Sequence, residues 1–318
     1  MSALGGVGEV LGPVTPIVLV FTAGVIFARR KIIAASDSRV LSEFAFRLAI
    51  PAYLLGKLYL SDLRRLFDPA SLAVYAITAL AAGAAVGIWS RLVRHTSIRG
   101  VALRIMAGVQ VNTAYFAIPI LVLVFGDAAP IFPILLFQVL VLTVVVITIM
   151  EAAPNDDDLG RSPRQRIIRG VGRSLTTPVV LACLTGVLLN ALHCPLPGVL
   201  LTSLSFVGDA ASPVALFALG LYVGGTGLRW RGATADENTL VAFKCVGFPM
   251  LMWGALQLAG IPDPWRGYLI LIAAMPAPQN LFTFAQTYDT DVDLAASAVL
   301  KSTIVSLCLL PIWQLAIR

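Results

Sequence analysis

The chain has 318 residues, 58% hydrophobic and only 13% charged, with a formal net charge of +6. A soluble domain carries roughly 25% charged residues, and a mean hydropathy of +0.88 excludes a water-exposed surface, so the composition is that of a polytopic membrane protein. The positive balance does not indicate nucleic acid as a partner, because Lys and Arg fall in short runs between apolar segments, as topology signals do.

The first thirteen residues, MSALGGVGEVLGP, hold no Lys or Arg. They lack the charged start of a signal peptide, so the first apolar run is expected to be a retained span. A span needs roughly 20 mostly apolar residues. On that criterion ten are expected, near 11–29, 39–60, 70–93, 99–125, 128–150, 176–193, 198–224, 238–259, 264–287 and 292–316. The polar stretch 151–174 divides them five and five. It is read as a linker between a first unit, 1–150, and a second, 175–318.

Loop charge sets the orientation. Fourteen Lys and Arg residues lie on one side, from Arg29 and Arg30 through Arg91 and the 161–173 cluster to Arg231. Four lie on the other: Arg64, Arg65, Arg266 and Arg318. The rich side is cytoplasmic by the positive-inside rule, which puts both termini outside and the linker in the cytoplasm. Trp89, Trp230, Trp265 and Trp313 fall near span ends, where amphipathic rings prefer to sit. The four cysteines and two histidines are scattered, so neither a metal site nor a disulfide framework is expected, and no cofactor is implied.

The two halves resemble each other. TPIVLVFTAGV (15–25) matches TPVVLACLTGV (177–187) at an offset of 162, and Pro51 answers Pro213 at the same offset. In the fourth and ninth spans Asn112 answers Asn280 at an offset of 168. Each repeat holds an odd number of spans, so the copies enter the membrane from opposite sides. This is the inverted-topology repeat of secondary transporters, whose substrates bind near the midplane at broken helices.

VQVNTAYFAIPI (109–120) and AAMPAPQNLFTFAQ (273–286) place amides and prolines deep within those two spans. An unpaired backbone group in hydrocarbon costs several kcal/mol, so such breaks persist where they line a cavity or meet another polar segment. The two broken helices are expected to cross near the bilayer centre. Gln110, Asn112, Tyr115, Pro119, Pro276, Pro278, Gln279 and Asn280 are the candidate binding residues. Half-helix N-termini beyond the breaks carry partial positive charge and suit a carboxylate. Prolines also simply kink membrane helices, which is the reading for Pro13, Pro133, Pro249 and Pro311. Gln138, Asn190 and Gln286 are read as interhelical hydrogen-bonding residues.

NTAYFAIPI and MPAPQNLFTFAQTYD, with PVALFALG (213–220) and AIPAYLL (49–55), resemble the motifs of the auxin efflux carrier family, which includes bacterial malonate transporters. The resemblance covers essentially the whole chain. It implies an elevator-type carrier with the fold of bile-acid symporters: spans 1, 2, 6 and 7 as a panel, and spans 3–5 and 8–10 as a moving core. It places the carboxylate site at Asn112, Pro119, Pro276 and Asn280. Ala114 and Ala117 stand where the family usually has glycine. The implied setting is a bacterial inner membrane, with H+ or Na+ as coupling ion; a homodimer is one assembly open to it.

Charges within spans are costly. A central Lys costs roughly 2.5–3.5 kcal/mol even on a lenient scale, and Lys301 lies about ten residues into the last span. Asp209 lies at similar depth in the seventh, so either the two pair across the panel–core interface, with Lys301 doing the work of a coupling cation, or Lys301 is a snorkelling or purely structural lysine. Lys57, Arg104 and Lys244 are expected to snorkel. Two other classes compete. An intramembrane magnesium-dependent prenyltransferase-like enzyme would use NDDD (155–158) and DTDVD (289–293), but these carboxylates lack the helical spacing for one face, and Asp291 reads as a helix N-cap. A channel would line a continuous path, whereas the polar residues cluster at mid-depth.

Overall fold

The computed structural model describes residues 15–60, 68–126, 130–153, 176–226 and 235–317, with isolated positions between 164 and 172. Every regular element among them is helical. In chain order these are α1 (Thr15–Arg29), α2 (Ser38–Phe44), α3 (Ile50–Leu60), α4 (Pro69–Leu92), α5 (Ile98–Val109) and α6 (Ile118–Phe125). There follow α7 (Ile131–Phe137), α8 (Val144–Glu151), α9 (Pro178–Ala191), α10 (Gly198–Gly208) and α11 (Ala211–Thr226). The chain closes with α12 (Ala235–Ala242), α13 (Phe248–Leu258), α14 (Trp265–Ala273), α15 (Asn280–Thr287) and α16 (Val292–Ala316).

Five helical runs are long and apolar enough to cross a bilayer: Pro69–Leu92, Pro133–Glu151, Gly198–Gly225, Ala235–Leu258 and Val292–Ala316. Val18–Arg29 and Pro178–Ala191 are shorter apolar helices. Large apolar side chains stay uncovered around them, Phe206 at 82% and Leu258 at 93% exposure among them. In water such surface would drive association; against lipid it costs nothing. The 151–174 linker, including NDDD, lies mostly outside the described residues, as do Arg64, Arg65 and Trp230.

Proline accounts for much of the local irregularity. It removes one backbone donor and pushes its ring against the turn before it. Of four π-helical turns among the described residues, Ala45–Ala49, Thr113–Ala117 and Phe243–Gly247 each end two residues before a proline, Pro51, Pro119 and Pro249, while Gln138–Thr143 does not. The wider turn takes up the missing bond, so the segment bends without stopping. Pro249 therefore does more than the plain kink expected of it. Pro213 acts differently: the chain turns at Asp209–Ala210 and Pro213 sits in the first turn of α11, where few N–H groups have intrahelical partners. Elsewhere the ends are capped locally, with Asp68 accepting from the Ser71 N–H and Ser97 Oγ from the Gly100 N–H, each at 3.0 Å.

Two helix pairs approach until backbone meets backbone. α1 crosses α11 at Gly24 and Gly220, where a methyl group would collide with the carbonyl oxygens of Phe217 and Phe21 respectively. α9 crosses α3 at Gly186, where a methyl would lie 2.9 Å from the Leu55 carbonyl oxygen. Gly24 and Gly186 are 162 residues apart, and so are Leu55 and Phe217. The same contact is made twice, at the offset found between the two halves.

The remaining segments enclose the charges. Arg104 on α5 donates through Nε and Nη2 to Asp236 Oδ2 (3.1 and 2.7 Å) and through Nη1 to Asp291 Oδ2 (2.5 Å). Arg94 approaches the other Asp236 oxygen at 3.4 Å. These contacts tie the starts of α5, α12 and α16 together. Asp291 does hold the N-cap position of α16, but its carboxylate serves Arg104 rather than capping the helix.

Candidate functional site

The site begins where two helices fail. α5 ends at Val109 and Gln110 turns extended, at φ −80° and ψ 150°. The freed backbone is satisfied from three directions: the Gln110 N–H returns to Met106 O (3.1 Å), the Val111 N–H donates to Gln138 Oε1 (2.6 Å), and the Asn112 N–H donates to Pro276 O (2.9 Å). The last bond joins the two interrupted segments. In the second, α14 ends at Ala273, and Pro276 and Pro278 supply no N–H. Between these prolines the Ala277 N–H donates to Ser302 Oγ at 3.0 Å, and α15 begins at Asn280.

Both breaks are thus closed by the same device: a polar side chain from the segment that follows. Gln138 comes from the segment after the first break, Ser302 from α16 after the second. Leaving either amide bare in this apolar setting would cost several kcal/mol. Gln138 joins two segments as expected and also lines the cavity beside the breaks. The signal was present, since a buried amide in the segment following a break is a natural cap for it. Ser302 carried no comparable signal.

A cavity of about 110 Å³ lies against both breaks. The side of the breaks is mixed: Gln110, Asn112, Thr113, Gln138, Thr143, Gln279 and Asn280 stand among Val111, Leu135, Val139 and Pro278. The opposite wall is largely apolar, with Ile50 and Leu54 from α3, Val179 from α9, and Ala211 and Ala215 from α11; Tyr53 is its polar member. Among the described residues no Lys, Arg, Asp or Glu lines it. Gln110 is 97% buried, at 3% exposure, and its side-chain Nε2 has no hydrogen-bond partner among the described residues; the same holds for Asn280 Oδ1. The buried Gln110 side-chain N–H is costly unless something in the cavity accepts from it, and the Asn280 oxygen calls for a donor there. The first turn of α15 also opens here, its N-terminal partial positive charge directed at the same space.

Of the expected site residues, Gln110, Asn112, Pro278, Gln279 and Asn280 line this one cavity, and Pro276 lends its carbonyl to the bond between the breaks. The side chains of Tyr115 and Pro119 lie outside the described residues. Lys301 and Asp209 stand apart from it and from each other's partners. Lys301 Nζ bonds Glu237 Oε1 at 2.6 Å, because α16 lies beside the first turn of α12. Asp209 sits exposed at the turn between α10 and α11 and accepts from Ser205 Oγ at 3.3 Å. The expected Lys301–Asp209 pair is replaced by Lys301–Glu237.

Two of the three residues expected to snorkel do not. Lys57 stays exposed over the Tyr53 ring. Arg104 is buried between two aspartates, and Lys244 is 1% exposed, pointing inward. Asn190 and Gln286 do join helices as expected: Asn190 Nδ2 reaches Tyr59 O at 2.6 Å, and Gln286 Nε2 reaches Ser38 Oγ at 3.0 Å.

A helical membrane protein whose two interrupted segments bond to each other beside a buried polar cavity has the build of a transporter. Residues 9–314 match the model of the family described as membrane transport protein, and the chain belongs to that family, which takes in the auxin efflux carriers. It is 24% identical over 287 residues, 90% of this chain and 91% of the other, to an uncharacterized transporter of Methanothermobacter thermautotrophicus. It is 27% identical over 218 residues, 67% of this chain and 66% of the other, to a provisionally named malonate transporter of Rhizobium meliloti. It is also 28% identical over 147 residues, 44% of this chain and 26% of the other, to auxin efflux carrier component 6 of Arabidopsis thaliana.

Proposed function

We propose that this protein is a secondary carrier of a small carboxylate, binding it in the cavity at the two breaks. The observation that carries the reading is the cavity itself: the unpartnered Gln110 Nε2 and the first turn of α15 converge where an anionic oxygen could accept from both. The uncharged lining favours a small anion held by amides and helix dipole over one needing a full countercharge. The name of the Rhizobium relative is consistent with that class.

The same reading takes the chain as ten spans in two inverted repeats, 1–150 and 175–318, both termini outside, in a bacterial inner membrane. The twice-made glycine contact at the 162-residue offset supports the duplication. The caps Gln138 and Ser302 support the equivalence of the two breaks. Spans 1, 2, 6 and 7 form the panel and the others a core that moves past it, as the division of the cavity into a largely apolar and a mixed side suggests.

The test is uptake of mono- and dicarboxylates into proteoliposomes, with proton and sodium gradients imposed separately. Saturable uptake that drops in both Asn112→Ala and Asn280→Ala is expected. Uptake of no carboxylate, or uptake indifferent to both substitutions, would remove the reading; single-channel currents would replace it with a pore.

A further inference from the structure

Lys244 is the one buried cation of this protein, among the described residues, whose side chain is spent on neither a carboxylate nor the cavity. Arg104 and Lys301 are each held by acidic partners. Lys244 has none within salt-bridge distance among the described residues, yet it is 1% exposed. Its Nζ lies 3.4 Å from the carbonyl oxygen of Ala273 and 4.8 Å from the centre of the Phe248 ring. Ala273 is the last residue of α14, the half-helix that stops at the second break.

Placement follows from the backbone. Lys244 stands in the π turn Phe243–Gly247, where the extra residue per turn rotates side chains inward that a regular helix would leave on its flank. The same turn reaches both breaks. Phe243 packs on Gly108, one residue before the end of α5, with ring carbons 3.5 Å from where a Cβ would stand. Cys245 Sγ lies 3.6 Å from Ser306 Oγ and 3.7 Å from Ser302 O, next to the serine that caps the second break. Of the groups facing Lys244 here, the Ala273 carbonyl and the Phe248 ring attract a cation and the Cys245 thiol is its one titratable neighbour.

The carbonyls ending a half-helix carry partial negative charge, and in carriers with broken helices such ends coordinate a dissolved cation. An ammonium group fits the same electrostatic need, and an aromatic face within about 6 Å adds to it. We propose that Lys244 is the built-in cation of this carrier: its ammonium neutralises the C-terminal end of α14 at the second break, so that the site keeps its charge balance with no metal ion from solution. This rests on the crossover being the transport site. It makes Lys244 a positioning residue, acting on the anion through the half-helix rather than by contact.

Two measurements test it. In proteoliposomes, uptake of radiolabelled malonate by the wild type should be indifferent to replacing Na+ with choline. Lys244→Ala should lower it about tenfold; Lys244→Arg should keep part of it, and external methylammonium should restore part of it to Lys244→Ala. In detergent, the wild-type melting temperature should not respond to Na+, whereas that of Lys244→Ala should rise with methylammonium. Na+-dependent uptake or Na+ stabilisation of the wild type overturns the proposal. So does Lys244→Ala that behaves as wild type, or whose defect neither arginine nor methylammonium repairs, which would make Lys244 a packing residue. The melting arm needs no cargo: if no carboxylate is taken up, the carboxylate reading fails while Lys244 is still decided. If Lys244→Ala does not fold, the wild-type response to Na+ decides it.

Discussion

The segments proposed as panel and those proposed as core solve the problem of folding in lipid differently. The panel, α1 to α3 and α9 to α11, is joined by close backbone approach at Gly24, Gly220 and Gly186. Small residues there gain van der Waals contact, the main attraction left to helices where there is no water to expel. The core, α4 to α8 and α12 to α16, instead buries charge: Arg104, Asp236, Glu237, Lys244 and Lys301 are the buried charged residues among those described, and all belong to it. It also contains both breaks. Within the core, Gln138 and Ser302 close the breaks and Asp236 holds Arg104. The charge network and the two break caps stay within the proposed core, whereas the Gln286–Ser38 and Asp293–Tyr222 bonds cross to the proposed panel and would have to be exchanged if the two moved apart.

The comparison can be broken at four points, the first expected to have the largest effect. Asp236→Ala leaves the Arg104 guanidinium buried beside one remaining partner, Asp291, itself one-third exposed. Removing one member of a buried pair typically costs about 3–5 kcal/mol. A melting temperature in detergent unchanged from wild type would show that the core does not depend on its charge network. Gly220→Val drives a side chain into the Phe21 carbonyl at the α1–α11 crossing. Overpacking of that kind costs about 1–3 kcal/mol, read as a lower melting temperature and reduced monodispersity; a stable, fully active variant would mean that the crossing is looser than described.

Asn112→Ala removes a lining side chain but keeps the backbone bond to Pro276, so stability should change little while uptake falls about tenfold, equivalent to roughly 1.4 kcal/mol. Equal losses of stability and uptake would shift Asn112 from binding to architecture. Asp209→Asn should do least. An exposed carboxylate bonded only weakly within its own turn is worth within about 0.5 kcal/mol, and a large loss of transport there would restore the interface role that the Lys301–Glu237 pairing takes away.

Much of the helical layout was legible because apolar run length and proline position are one-dimensional. The segment read at 39–60 forms helix from Ser38 to Leu60, and the one at 264–287 runs from Trp265 to Thr287 with its interruption where Pro276 and Pro278 stand. That Gln110, Asn112, Gln279 and Asn280 meet at one cavity was legible for the same reason: amides and prolines share each of the two interrupted spans. What failed was azimuth. Depth along a span gives the cost of Lys244 or Arg104 but not the face it occupies, and the π turn at 243–247 shifts that face further. The partner of Lys301 failed for a related reason. Glu237 lies 64 residues away, and only the packing of α12 on α16 selects it over Asp209.

The two walls of the cavity also bear on speed. In a carrier that slides its core along a panel, cargo held by Gln110, Asn112 and Asn280 faces chiefly the hydrocarbon of Ile50, Leu54, Val179 and Ala215 on the stationary side. Outside the cavity, the Gln286–Ser38 and Asp293–Tyr222 bonds would have to be broken and remade at each step. If the core slides as proposed, the resistance to travel would then sit in these two bonds rather than in the apolar side of the cavity.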